Sequence, residues 1–143
     1  MYQSAGMIAR RWFEEVWNDN RDATIDELMH PEAVFHMEGA EVRTPAEFRQ
    51  MRDAFMSAFP GLRIEIEDVV SNGEHAVVRW HFRGTHGGSG FGERATQQRL
   101  AFRGISWAVV RDGKVIEGFD SWNIAGLMTA IGAEPVLPSV ERA

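Results

Sequence analysis

Apolar residues near the start of the chain recur at helical spacing: Ile8, Trp12 and Val16, joined by Phe13 and Trp17, share one face, while Arg10, Arg11, Glu14 and Glu15 take the other. This pattern predicts an amphipathic first helix. A short second helix is predicted over residues 24–29 with Ile25 and Leu28 inward. It should stop at His30-Pro31, because the residue before a proline disfavours helical geometry. Val34, Phe35 and His36 read as extended. The string Thr44-Pro45-Ala46-Glu47 then combines a hydroxyl cap, a proline suited to the first helical position and a glutamate that completes a capping box. The third helix it announces carries the stripe Phe48, Met51, Phe55, Met56 and Phe59, and ends at Pro60-Gly61.

From Leu62 the period changes from that of a helix to that of a strand, since Leu62, Ile64 and Ile66 alternate with Arg63, Glu65 and Glu67. Asn72-Gly73 predicts a hairpin turn into a strand over residues 76–83. Asp112-Gly113 predicts a second, joining residues 100–110 to residues 115–122. Both impose antiparallel pairing. Between the hairpins, residues 84–92 hold five of the 14 glycines and predict a mobile loop. It precedes a strand and lacks Gly-Lys-Ser or Gly-Lys-Thr, so it is no phosphate cradle, and a lid is its expected role. A short closing helix is expected over residues 125–131, followed by a loose tail containing Pro135 and Pro138. Helices followed by a meandering sheet give an α+β domain, a cone-shaped α+β barrel with three N-terminal helices packed on a curved antiparallel sheet. Such a cone has an inside.

At 143 residues the chain is the size of one domain. With 44% hydrophobic and 25% charged residues it is globular, and no apolar stretch approaches the roughly 20 residues of a membrane span. The N-terminal residues lack a secretory pattern, so a cytoplasmic location is expected. The absence of cysteine removes disulfides, cysteine nucleophiles and thiolate metal sites together. A net charge of -6 without a run of Lys or Arg argues against nucleic acid or an anionic membrane as partner. A neutral or weakly polar small molecule remains.

Asp120 is the residue on which function turns. It lies in the last predicted strand among Ile116, Gly118, Phe119 and Trp122, where it is either desolvated, with a raised pKa suited to proton transfer, or faces water. Arg79 and His81 alternate with Val78, Trp80 and Phe82, so one face of that strand is polar and the other apolar. If the polar face meets the cavity, Arg79 and His81 come within reach of Asp120; otherwise they face solvent or a partner subunit. His86 in the glycine-rich loop is either a pocket-rim residue or an exposed histidine without a role. His36, His81 and His86 show no metal-ligand spacing, and no metal or other cofactor is expected. Five tryptophans are many for this length, and aromatic walls favour flat apolar ligands. Trp12, Phe13, Trp17, Phe55 and Trp122, with Ser106, are the candidates for contact with such a ligand. Ile105, Trp107, Val109 and Phe119 should instead form an apolar patch on the convex face, which predicts a homodimer.

The order and spacing of several pieces resemble a known superfamily. They are residues 11–18, the pair Phe35-His36, residues 58–62 entering an alternating strand, Val78-Arg79-Trp80-His81, residues 84–87, residues 102–105, and the closing residues 113–117 through Asp120, Trp122 and residues 126–128. Over about residues 7–132 the chain resembles the nuclear transport factor 2-like superfamily and, within it, the SnoaL-like polyketide cyclases, also called ester cyclases. The resemblance implies that Asp120 moves protons during an intramolecular aldol closure without a cofactor, with Arg79, His81 or His36 polarising the oxygen. It also implies that His36 borders the pocket. In limonene-epoxide-hydrolase-like relatives two aspartates and an arginine open an epoxide, but this chain has His81 where those enzymes resemble Arg-x-Asp. It departs again at Asn123, where a second carboxylate is common. A domain that binds ligand without catalysis is the other class of function compatible with the same fold.

Overall fold

Ser4 accepts a hydrogen bond from the Met7 N–H at 3.2 Å and so opens helix α1 (Ala5–Arg11), in a computed structural model that describes residues 3–88 and 94–132. The helix does not continue with an α period. Over Trp12–Asn18 it widens into a π-helical segment, closed by the Asp19 N–H donating to the Glu14 carbonyl at 3.0 Å. The wider turn puts Trp12, Phe13, Val16 and Trp17 all in the core. At its end the Asn18 amide behaves like a strand neighbour, donating to the Ile64 carbonyl at 2.7 Å and accepting the Ile64 N–H at 2.8 Å.

Helix α2 (Asp22–Leu28) stops before His30-Pro31, because Met29 already belongs to strand β1 (Met29–Met37) and pairs with Val115. Pro31 has no N–H for the ladder, and the register shifts between Met29 and Val34. A left-handed Gly39 (φ 83°) turns the chain into β2 (Ala40–Arg43), a short strand absent from the sequence reading. In helix α3 (Thr44–Ala58) the Glu47 N–H donates to Thr44 Oγ1 at 3.2 Å, as the capping box requires, while the Glu47 carboxylate reaches one residue further back to the Arg43 N–H at 3.1 Å. The helix ends at Ala58, just short of Pro60-Gly61. Its buried Arg52 bonds Asp22, Asp53 and the Val16 carbonyl, and so ties α3 to α2 and to the π segment.

Strands β3 (Arg63–Asn72), β4 (His75–Thr85), β5 (Arg99–Arg111) and β6 (Lys114–Trp122) follow, then helix α4 (Ile124–Ala130). The first hairpin turns one residue later than expected, at Gly73-Glu74, since Asn72 still pairs with His75. The second turns at Asp112-Gly113 as expected, both residues with positive φ. The curved, unclosed sheet has the order β2-β1-β6-β5-β4-β3. All neighbours run antiparallel except β1 and β6, which are parallel. Asn123 caps α4 by accepting the Gly126 N–H at 2.9 Å.

Register decides which side chains face the helices. Val78 lies opposite Ser106, and Ser106 opposite Asp120; one pair further, Trp80 lies opposite Gly104 and Gly104 opposite Trp122. Val78, Trp80 and Phe82 are buried on this inner face. Gly104 is needed there, because a Cβ would stand 2.2 Å from the Trp80 ring, which lies across the strand at that point. Residues 89–92 of the glycine-rich loop and the tail with Pro135 and Pro138 lie outside the described residues, as do the expectations placed on them.

Candidate active site

A cavity of about 220 Å³ opens between the inner face of the sheet and the helices. The π segment supplies Trp12, Phe13 and Trp17 to its wall, α3 supplies Phe55, and the sheet supplies Trp80 and Trp122. The aromatic rings brace one another edge-on: Trp12 meets Phe48 at 4.8 Å and Phe35 at 5.4 Å, and Trp17 meets Phe48 and Phe55 at 6.0 Å. The five aromatic residues singled out from the sequence, together with Ser106, all line this space.

Asp120 also lines it, half-buried on β6. A directional chain of hydrogen bonds holds it. The Trp80 Nε1–H donates to Ser106 Oγ at 2.9 Å, and the Ser106 hydroxyl donates to Asp120 Oδ1. Because Ser106 Oγ already accepts from the indole, its single proton is directed to the carboxylate. No described residue donates to the second oxygen, Oδ2. Desolvation among aromatic walls pushes the Asp120 carboxyl up to about 6, against the opposing pull of the Ser106 hydrogen bond. A carboxyl in this state can take a proton or give one near neutral pH.

Ser106→Ala is expected to raise the Asp120 pKa above about 6, by removing the interaction that favours its ionised form. It should also destabilise the fold by about 1–3 kcal/mol, because the buried Trp80 N–H loses its acceptor. NMR titration of the labelled carboxyl and a denaturant melt measure the two effects; a carboxyl that titrates lower in the variant would refute the first.

Three residues expected to assist Asp120 do not reach the cavity. Strand alternation puts Arg79 and His81 on the face opposite Val78 and Trp80. Arg79 is exposed and lies 3.6 Å from Glu67, while His81 accepts from Arg83 Nε at 3.3 Å. His36, next to the inward Phe35, also faces out: it stacks on Phe119 at 4.6 Å and bonds Glu117 at 2.8 Å. His86 is neither an exposed loop residue nor a lining residue of this cavity. It is fully buried beside Phe59, with Nδ1 accepting the Thr96 N–H at 3.2 Å. Among the described residues no group of three His, Asp or Glu side chains is placed to hold a metal ion.

Trp80 and Glu38 are among the lining residues that the sequence did not single out. Trp80 faces in because its strand's apolar side does, and the glycine opposite it, Gly104, was the available signal. Glu38, between Met37 and Gly39, gave no signal, because a glutamate before a glycine reads as an ordinary turn.

The family model described as SnoaL-like polyketide cyclase matches residues 7–131. No curated protein matches. Among solved structures, a putative SnoaL-like polyketide cyclase from Jannaschia sp. CCS1 superposes with a TM-score of 0.81 at 24% identity, covering 90% of this chain and 91% of its own. AclR, a putative hydroxylase from Streptomyces galilaeus, gives 0.78 at 25% identity, with 94% and 84% covered. IdmH, a putative polyketide cyclase from Streptomyces antibioticus, gives 0.78 at 20% identity, with 92% and 100% covered.

Proposed function

Since the chain belongs to the SnoaL-like polyketide cyclase family, we propose that it is a cofactor-free cyclase or isomerase that moves a proton at the carbon beside a carbonyl group. The observation that carries this reading is Asp120, whose carboxyl is raised to about 6 in an aromatic cavity and held through one oxygen by Ser106. Ionised, it removes the carbon-bound proton through Oδ2. Protonated, it returns that proton to the alkoxide of the new bond or to a second carbon. AclR, similar in structure, is named a putative hydroxylase, so chains of this fold carry more than one reaction in their names.

Cavity size bounds the substrate. A volume of about 220 Å³ falls between the roughly 150 Å³ that accepts benzene and the roughly 300 Å³ at which pockets for larger ligands begin. One or two fused rings fit, polyketide-like and mostly apolar.

If Asp120 acts first as base, kcat/KM on a small cyclic or aryl ketone should fall about tenfold per pH unit below about 6 and be flat above it. A profile without a break near that pH would count against the assignment.

A second reading, a ligand-binding domain without chemistry, draws support from the outward placement of Arg79, His81 and His36, which leaves Asp120 without a cationic helper among the described residues. Saturable binding of aromatic ketones in thermal-shift assays, with no turnover in a broad screen, would favour it. Epoxide opening of the limonene-epoxide-hydrolase type loses its support, since the arginine it needs faces away from the carboxylate.

A further inference from the structure

Proton removal beside a carbonyl leaves negative charge on the carbonyl oxygen, and a donor aimed at that oxygen is the other half of such a site. The residues first expected to supply it lie on the wrong face. The cavity has other donors. Among the described residues two of the five indole N–H groups are used: Trp80 donates to Ser106, and Trp107, on the outer face, donates to His75. The indole N–H groups of Trp12, Trp17 and Trp122 find no acceptor among the described residues, yet they are not among the sealed, unpartnered buried donors there, which are Arg49 Nε and His86 Nε2. The described residues therefore do not seal them off, and all three tryptophans border the cavity.

Position selects one of them. Trp12 and Trp17 come from the π segment across the cavity and pack against Phe48. Trp122 stands two residues from Asp120 on the same face of β6, roughly 6–7 Å along the strand. In a ketone the acidic carbon and the carbonyl oxygen are separated by a single carbon, so a substrate whose C–H meets Asp120 Oδ2 turns its oxygen a few ångströms along the strand. The ring of Trp122 is held by Phe55, Trp80 and Phe102, with centroids at 5.9, 6.4 and 6.0 Å. A donor held in this way need not reorganise when charge develops.

Building on the function proposed above, we infer that Trp122 is a catalytic residue whose Nε1–H donates to the substrate's carbonyl oxygen and stabilises the enolate while Asp120 holds the proton. Electron balance is simple: the C–H pair becomes the carbon–carbon double bond, the carbonyl pair moves onto oxygen, and the proton goes to Oδ2.

The test uses binding rather than turnover, so that it stands without an identified substrate. In the full chain carrying Asp120→Asn, which imitates the protonated carboxyl, the affinity of a nitro-substituted naphthol that is ionised at neutral pH is compared with that of the matching nitronaphthalene. Adding Trp122→Phe keeps an aromatic ring and removes the N–H. It should weaken the naphtholate about tenfold or more and leave nitronaphthalene within about twofold, in keeping with the loss of a hydrogen bond to a charged group. Trp12→Phe and Trp17→Phe in the same background should leave the ratio unchanged. Equal effects of Trp122→Phe on both compounds, or a change of ratio in one of the other two variants instead, would overturn the assignment while leaving the role of Asp120 standing. If the Asp120→Asn protein binds neither compound, the cavity reading itself falls, and this inference with it.

Discussion

Asp120→Asn should lower kcat by about 10² to 10⁴, the usual contribution of a general acid or base, and at the same time make the protein more stable at pH 8. The two effects have one cause. In the folded chain the carboxyl titrates near 6, against 3.8 when it is fully hydrated, because burial penalises its charge. The folded state therefore holds this proton more tightly than the unfolded state. The benefit is complete below about 3.8 and is lost as pH rises through about 6, so above neutrality the ionised carboxylate costs up to about 3 kcal/mol. Asparagine keeps the shape and an acceptor for Ser106 without that charge. Melting temperatures at pH 5 and pH 8, set beside activity, check the claim: the gain from Asp120→Asn should appear at pH 8 and shrink at pH 5. A variant that is inactive and less stable at pH 8 would make Asp120 a structural residue.

Trp107→Glu is expected to turn a dimer into a monomer. On the outer face the register aligns Val70, Val77, Trp107, Phe119 and His36 in one row across five strands. Within and beside that row Val70 is 64% exposed, Ile105 50%, Trp107 48% and Phe119 43%, an apolar band that a lone subunit would leave in water. We propose that a second copy covers it, related by a two-fold axis that brings the same band onto itself. Trp107 sits in the middle of the row, its indole fixed by the 3.0 Å bond to His75. A glutamate there would bury a charge in both halves of the interface. Sedimentation at micromolar concentration should show a dimer for the parent chain and a monomer for the variant; a monomeric parent would end the proposal.

What could be read from the sequence was what neighbouring residues settle among themselves. Asp112-Gly113 made its hairpin because both positions need left-handed backbone, and Thr44 and Glu47 began α3 because capping acts within one turn. The parallel pairing of β1 with β6 and the short β2 depend on contacts some eighty residues apart or on a strand of four residues, and no local period announces either. At the site the aromatic wall and Asp120 were legible, since large apolar residues recur where elements must pack. The direction of Arg79 and His81 was not. Both faces of β4 carry bulky side chains, and the choice is made across the sheet by the small residues opposite, Gly104 for Trp80 and Ser106 for Val78. His36 misled for a related reason, because a strand shows only one of each pair of neighbours to the cavity, and Phe35 holds that side.

The unusual winding of Trp12–Asn18 makes cavity shape a matter of residue count as well as residue identity. Its turns hold one residue more than ordinary helical turns, so a single-residue deletion between Trp12 and Trp17 would let the stretch take the ordinary period with both tryptophans still on the cavity wall. Rewinding at full length would instead rotate everything beyond the segment by about 100°. Trp17 would then swing off the cavity wall, and Asn18 would lose the Ile64 backbone it now clasps. Which side chains form this wall is therefore set by length and winding together.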